Sequence, residues 1–223
     1  VEAALTYAAM SDLLPLEEAR AWAGAENDFR QAYRAIANRP EALAALANFE
    51  IQLGRAAAAI VLYEEALRIQ PRAVAARANL ADALRGIGQE GRAAAVLREG
   101  LALDGTNAAL HHALGLSLVR GGEPEAALVE LRQAAEFAPG NARYAYVLGI
   151  ALNSLGRSQE ALQVLEGARG RFEGDFDIAM TLASMLRDSG DAEAALEIAY
   201  TLARRHPEDQ NVLALLRSLG AVP

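Results

Sequence analysis

Residues 108–139 read AALHHALGLSLVRGGEPEAALVELRQAAEFAP. The spacing predicts two short amphipathic helices with a turn between them. Leu114, Gly115 and Leu118 share one face of the first helix, because residues three and four apart lie on the same side. Gly121 and Gly122 stop that helix, since glycine takes the left-handed conformation a helix C-terminus needs. Pro124 opens the next helix, where its missing N–H costs nothing. Ala127, Leu131 and Ala134 then fall on one face of the second helix.

The rest of the chain repeats this stretch at a period of 34 residues. Leucine recurs at Leu46, Leu80, Leu114, Leu148 and Leu182, and a small residue follows each one: Ala47, Ala81, Gly115, Gly149 and Ala183. Glycine recurs at Gly54, Gly88, Gly122, Gly156 and Gly190, and alanine at Ala59, Ala93, Ala127, Ala161 and Ala195. One helix hairpin cannot bury its apolar face alone, so a fixed period of this length predicts hairpins that stack and bury one another's faces. In that stack the small residues allow close helix approach, and the bulkier Tyr63, Leu97, Leu131 and Leu165 fill the space between neighbours. The expected fold is all-α: a right-handed superhelical solenoid of antiparallel hairpins forming a single domain. Residues 1–39 form a degenerate capping repeat, 40–207 five hairpins and 208–223 a capping helix. Within the N-terminal cap, residues 2–12 are expected as a short helix and residues 16–37 as a longer one, with Trp22 packing it. At the other end, Val212, Leu213, Leu215 and Leu216 are expected to cover the last hairpin.

This pattern resembles the tetratricopeptide repeat (TPR) family. The resemblance rests on the period, the leucine with its small neighbour, the glycine, the later alanine and a closing proline at Pro71, Pro139 and Pro207. Gly105 replaces that proline once, and the 172–174 region is expected to carry a one-residue insertion instead. The chain departs from the family at an early aromatic position, where Leu43, Arg77, His111, Ala145 and Ala179 stand. A looser resemblance lies in NLADALR (79–85), LHHALGLSLVR (110–120) and ARYAYVLGIAL (142–152), which look like TPR segments of bacterial multihaem c-type cytochromes. It implies a fragment of a longer, exported, periplasmic polypeptide whose haem sites lie elsewhere.

Composition narrows the function classes. The 223 residues contain no cysteine and carry a formal net charge of -8. Disulfides, thiolate metal sites and CxxCH haem attachment are therefore excluded within this sequence. The acidic balance argues against nucleic acid, which needs a positive stripe along its phosphates. No run approaches the ~18 apolar residues of a membrane span. The chain begins at Val1 with no signal-like segment, as expected of an excised piece or processed product. It fits either a cytoplasmic or a periplasmic setting.

No catalytic constellation, metal site or cofactor site is expected. The adjacent His111 and His112 point about 100° apart on a helix and cannot chelate one ion together. His206, beside Arg204 and Arg205, reads as a basic helix end that complements the macrodipole. Glu64 and Glu65 read as a solvated outer face.

Function on such a fold has to be argued from a surface. In the TPR family the first helix of each hairpin lines a concave groove. The resemblance therefore implies a protein-binding groove of Asn48, Asp82, Arg85, His112, Leu116, Val119, Arg143, Tyr146, Ile150, Asn153, Met180, Ser184 and Arg187. Apolar residues cluster in its middle (Leu116, Val119, Tyr146, Ile150, Met180), with Arg85, Arg143 and Arg187 beside them. An apolar strip rimmed by charge marks an interaction site and suits a peptide with acidic and apolar residues. Some TPR proteins clamp a C-terminal carboxylate with lysines and asparagines. Asn48 matches one such position, but the lysine positions hold Ala44, Ala78 and His112, and the chain has no lysine. Three readings follow: a non-enzymatic scaffold for a protein or peptide partner, an appendage that positions a redox domain, or a self-association module that forms a homo-oligomer.

Overall fold

The computed structural model describes residues 16–36 and 38–221; the side chains of residues 16–19 and of Trp22 lie outside that description. The expected helix at 2–12 and the packing of Trp22 therefore fall outside it too. Twelve helices and no strand are found among the described residues. They divide into two compact units, 1–123 and 124–223, so the boundary falls within the quoted stretch, just before Pro124.

The first unit contains α1 (Leu16–Arg34), α2 (Pro40–Gln52), α3 (Ala56–Ile69), α4 (Val74–Gly86), α5 (Glu90–Leu103) and α6 (Ala108–Arg120). Helix α2 pairs with α3 and α4 with α5, while α3 packs on α4 and α5 on α6; α4 also touches α2 and α6. The periodic residues form the contact surfaces. Leu46, Ala47, Ala59, Tyr63, Leu80, Ala81, Ala93 and Leu97 are all buried. The turns follow the glycine rule. Gly54, Gly88 and Gly122 take φ of 72°, 75° and 77°, and the residue after each donates its N–H back across the helix end, to the carbonyls of Glu50, Leu84 and Leu118. This six-to-one bond satisfies a carbonyl that would otherwise be left without a partner. Gly121 differs from the expectation: it keeps a right-handed conformation with φ -71°, so Gly122 alone makes the left-handed step.

Helix α1 ends at Arg34, a little before the expected Ala37, and docks through one aromatic and one ionic contact. Phe29 lies 4.3 Å from Phe49, ring centre to ring centre. Arg30 grips the buried Glu50 with Nε at 2.6 Å and Nη2 at 3.1 Å. Glu26 pairs with both Arg30 and Arg55, and Arg55 lies 3.7 Å from Glu50.

The departures from the early aromatic also acquire a physical reason here. Arg77 is buried (5% exposed) and donates to the carbonyls of Pro71 at 2.8 Å and Val96 at 2.9 Å. One period later, the Nε2 of buried His111 lies 3.0 Å from the carbonyl of Gly105. Two successive repeats thus replace an apolar ring with a polar side chain that fastens the preceding loop. A buried polar group is tolerated where it finds such partners.

The second unit contains α7 (Pro124–Phe137), α8 (Ala142–Ser154), α9 (Ser158–Arg171), α10 (Phe176–Ser189), α11 (Ala192–Arg205) and α12 (Gln210–Ser218). Each helix packs on the next, and α8 also touches α10. One continuous core runs through it, from Leu131 and Leu148 through Leu165 and Leu182 to Leu202, Leu215 and Leu216. Asn141, Asp175, Asp191 and Asp209 accept N–H groups at helix starts. The expected insertion at 172–174 is corrected: Leu148 and Leu182 keep the period and the 172–175 loop is as long as its counterparts, so Glu173 simply stands at the proline position, while Gly174 takes φ 97° with the Arg205 guanidinium against it. On α12, Val212, Leu215 and Leu216 are buried and Leu213 is half-buried. His206 sits edge-on to Phe176, 5.0 Å between ring centres.

Candidate functional site

The expected groove residues separate when placed in the structure. In the first unit Asn48 and Asp82 are exposed, Arg85 is largely buried, Leu116 is half-buried and Val119 is exposed. His112 is a correction: it is buried at 9% exposure and does not line an open surface. The reason lies in α6, which packs on both α4 and α5. Its buried arc takes in Leu110, His111, His112, Leu114, Gly115, Ser117 and Leu118, more than half of the helix circumference at about 100° per residue.

In the second unit Arg143, Ile150 and Asn153 are exposed. Tyr146 and Met180 are partly buried and pack against the core, so the apolar strip is less open than the sequence suggested. Ser184 turns its hydroxyl back to the Met180 carbonyl at 2.9 Å. Arg187 is engaged by Asp188 at 2.7 Å and by Ser218 at 3.2 Å. Asn153 accepts from Ser158 at 2.9 Å.

The first unit has a formed cleft of about 350 Å³ where α2 faces α4, lined by Asn48, Ile51, Tyr63, Asn79, Asp82, Ala83, the turn residue Gly54 and Gly86 at the end of α4. That volume lies within the usual range for ligand pockets, roughly 300–1,000 Å³. Its polar chemistry is specific. The Tyr63 hydroxyl and the Asn79 amide, the latter at 3.0 Å, both donate to Asn48 Oδ1. An amide oxygen has two lone pairs, so both are used. The Asn48 N–H₂ and the Asn79 carbonyl oxygen have no side-chain partner among the described residues. Burial pushes the Tyr63 phenol above its ordinary pKa, offset in part by hydrogen bonding to Asn79, so the hydroxyl stays protonated and keeps donating. Ile51 adds an exposed apolar side chain at the rim.

Asn79 and Tyr63 were missed by the sequence reading, although both left a signal. Asn79 stands three residues before Asp82 and so shares its helix face. Tyr63 is the polar-tipped exception among the leucines of its column.

Asp82 pairs with Arg85 one turn further along α4. Burial, and then the charge of Arg120, pull the Arg85 guanidinium below its ordinary pKa. Among the described residues no group of three His, Cys, Asp or Glu is arranged to hold a metal ion, and no helix is long and apolar enough to cross a membrane.

Comparison with known proteins agrees with this architecture. No curated protein matches the sequence. Among solved structures, PilW, a widely conserved type IV pilus biogenesis factor, superposes with a TM-score of 0.69 at 18% identity, covering 96% of each chain. PilF of Pseudomonas aeruginosa gives 0.64 at 16% identity over 97% of each chain. YrrB, a TPR protein with an unusual peptide-binding site, gives 0.62 at 20% identity, covering 85% of this chain and 97% of its own. These likenesses speak to fold, and none of them carries the looser resemblance to multihaem cytochromes. A tetratricopeptide repeat model matches residues 78–207, more than half of the sequence, and a second matches 40–72. With the 34-residue period, the glycine turns and the stacked hairpins in register, the chain belongs to the tetratricopeptide repeat family.

Proposed function

We propose that the chain is a non-enzymatic interaction scaffold, and that the cleft between α2 and α4 receives an extended peptide segment of a protein partner. The observation that carries this reading is the Asn48–Tyr63–Asn79 cluster. It fixes two side-chain amides in place and leaves one N–H₂ and one carbonyl oxygen without a side-chain partner on residues that line the cleft. An extended backbone offers the complementary acceptor and donor at every residue. Because Tyr63 and Asn79 already hold Asn48 in position, little side-chain freedom is lost on binding. Ile51 supplies apolar contact, and Asp82 marks one side of the cleft with negative charge.

Selection of peptides from a displayed random library against the purified chain tests this reading, with fluorescence anisotropy of the selected peptides as the readout. Asn48→Ala and Asn79→Ala should each weaken binding about tenfold, the loss of one to two well-made hydrogen bonds, with helical circular dichroism unchanged. Selected peptides that bind both variants as tightly as the parent chain would refute the cleft assignment.

A further inference from the structure

The cleft between α2 and α4 presents a single charge. Among the described residues that line it, Asp82 is the one ionised side chain; the others are asparagine, tyrosine, isoleucine, alanine and glycine. Asp82 stands three residues beyond Asn79 on the same face of α4, about 4.5 Å further along the helix axis. An extended chain rises about 3.3 Å per residue. A segment that runs along α4 from the two asparagines therefore brings a side chain to Asp82 one or two residues later.

The ion pair that Asp82 makes with Arg85 leaves the carboxylate accessible. The Asp82 side chain is 61% exposed, that of Arg85 only 12%, and Arg85 is not among the residues lining the cleft. A ligand in the cleft thus meets the anion of the pair rather than the cation. Arg85 is the one cation paired with Asp82 among the described residues, and a carboxylate has acceptor sites for more than one. The same chain shows such sharing twice: Glu26 pairs with both Arg30 and Arg55, and Glu160 with both Arg132 and Arg157. An acidic ligand would meet the Asp82 charge with no cation lining the cleft to receive it. The arginines that the sequence matched to an acidic partner lie elsewhere, for Arg85 is largely buried and Arg143 and Arg187 belong to the second unit.

We propose that Asp82 binds the cationic head of a lysine or arginine side chain in the partner segment, next to the stretch seated over Asn48 and Asn79. The proposal rests on the cleft reading above and adds the chemistry of the partner: an extended segment carrying a basic anchor. The apolar stem of that side chain finds Ile51, 38% exposed and lining the same cleft from α2, while the charged head keeps contact with water. Arg85 already offsets part of the Asp82 charge, and the carboxylate is exposed. The anchor therefore selects among partners more than it tightens binding.

The test uses the full chain and the library peptides whose binding depends on Asn48 and Asn79, acetylated at the N-terminus so that only side chains carry the cation. Each lysine or arginine of a peptide is replaced by glutamine in turn, and affinities are measured against the parent chain, Asp82→Asn and Asp82→Ser. One basic position should lose about fivefold in affinity on the parent chain, the upper end for an exposed ion pair. The same replacement should lose less than twofold on either variant, because its partner charge is already gone. Asp82 is mostly exposed and both variants keep an oxygen for Arg85 to donate to, so the fold is retained, as circular dichroism will report. If every glutamine replacement leaves affinity unchanged, or the loss persists undiminished on the Asp82 variants, the basic anchor is overturned while the asparagine cleft stands. Peptides indifferent to Asn48→Ala and Asn79→Ala remove both.

Discussion

Arg77 passes directly over Gly100, in space that a side chain at residue 100 would occupy. A Cβ on residue 100 would overlap the Arg77 side chain at Cδ, lie 3.0 Å from its Nε and 2.8 Å from Leu110 Cδ1. Arg77 cannot swing aside, because its far end is held by the carbonyls of Pro71 and Val96. The other four repeats place Ala66, Ala134 and Ala168, all fully buried, and the buried Leu202 in this column. Only the repeat with the buried arginine has glycine.

Gly100→Ala should therefore destabilise the protein, against the usual trend. Helix propensity alone favours alanine by about 1 kcal/mol, while overpacking a filled site costs about 1–3 kcal/mol. The second effect wins here because Arg77 is tethered. A net loss of about 1 kcal/mol in urea unfolding is expected. In an Arg77→Ala background the same substitution should become neutral or stabilising, giving a positive coupling in a double-mutant cycle. Additive effects would show that Arg77 moves freely and that the pairing is incidental.

The attachment of α1 gives a second prediction, in the relative size of two effects. Arg30→Met leaves the buried Glu50 charged, with only Arg55 near it at 3.7 Å. Glu50→Gln removes the buried charge and keeps an oxygen for Arg30 to donate to. Removing one partner of a buried pair costs more than the pair is worth, because the remaining charge is stranded. Arg30→Met should thus cost about 2–3 kcal/mol, and Glu50→Gln about 1 kcal/mol, scaled to hydrogen bonds between charged groups. Amide hydrogen exchange in Leu16–Arg34 should rise most in Arg30→Met. Equal effects from both variants would mean that Phe29 on Phe49, rather than the ion pair, fastens the helix.

What the sequence disclosed follows from what a repeat averages. Leucine, glycine and alanine recur in phase because every hairpin has the same stacking problem, so helices and turns were legible from spacing alone. The buried state of His112 was not, since family phase places a residue on a face but does not say how many neighbours crowd that face. Tyr146 and Met180 are likewise more closely packed than phase alone suggests, being partly buried against the core. The Asn48–Tyr63–Asn79 cluster was invisible for a different reason. Its members lie on three helices and meet only through packing. Asn48 was singled out by phase, but its partners could be found only once α2, α3 and α4 were in place.

Gly149 shows where the repeat rule misleads about a particular site. Its column holds Gly115 and three alanines, Ala47, Ala81 and Ala183, all three fully buried, so the period suggests that alanine would fit. In the structure a Cβ at 149 would stand 2.7 Å from both Cγ and Cδ2 of Leu165, closer than real contacts allow. Leu165 is itself fully buried, in an interior that yields little to added volume. In the last repeat the residue corresponding to Leu165 is Ala199, leaving more room opposite Ala183. Gly149→Ala should cost about 1–2 kcal/mol, the overpacking penalty less the helix gain of roughly 1 kcal/mol. Leu165→Ala creates a cavity and should cost about 2–4 kcal/mol by itself. The double variant should be more stable than the sum predicts, because the new methyl group enters the space the leucine leaves. Urea unfolding of the four proteins decides the matter, and a Gly149→Ala variant as stable as the parent would mean that α8 and α9 slide apart at little cost.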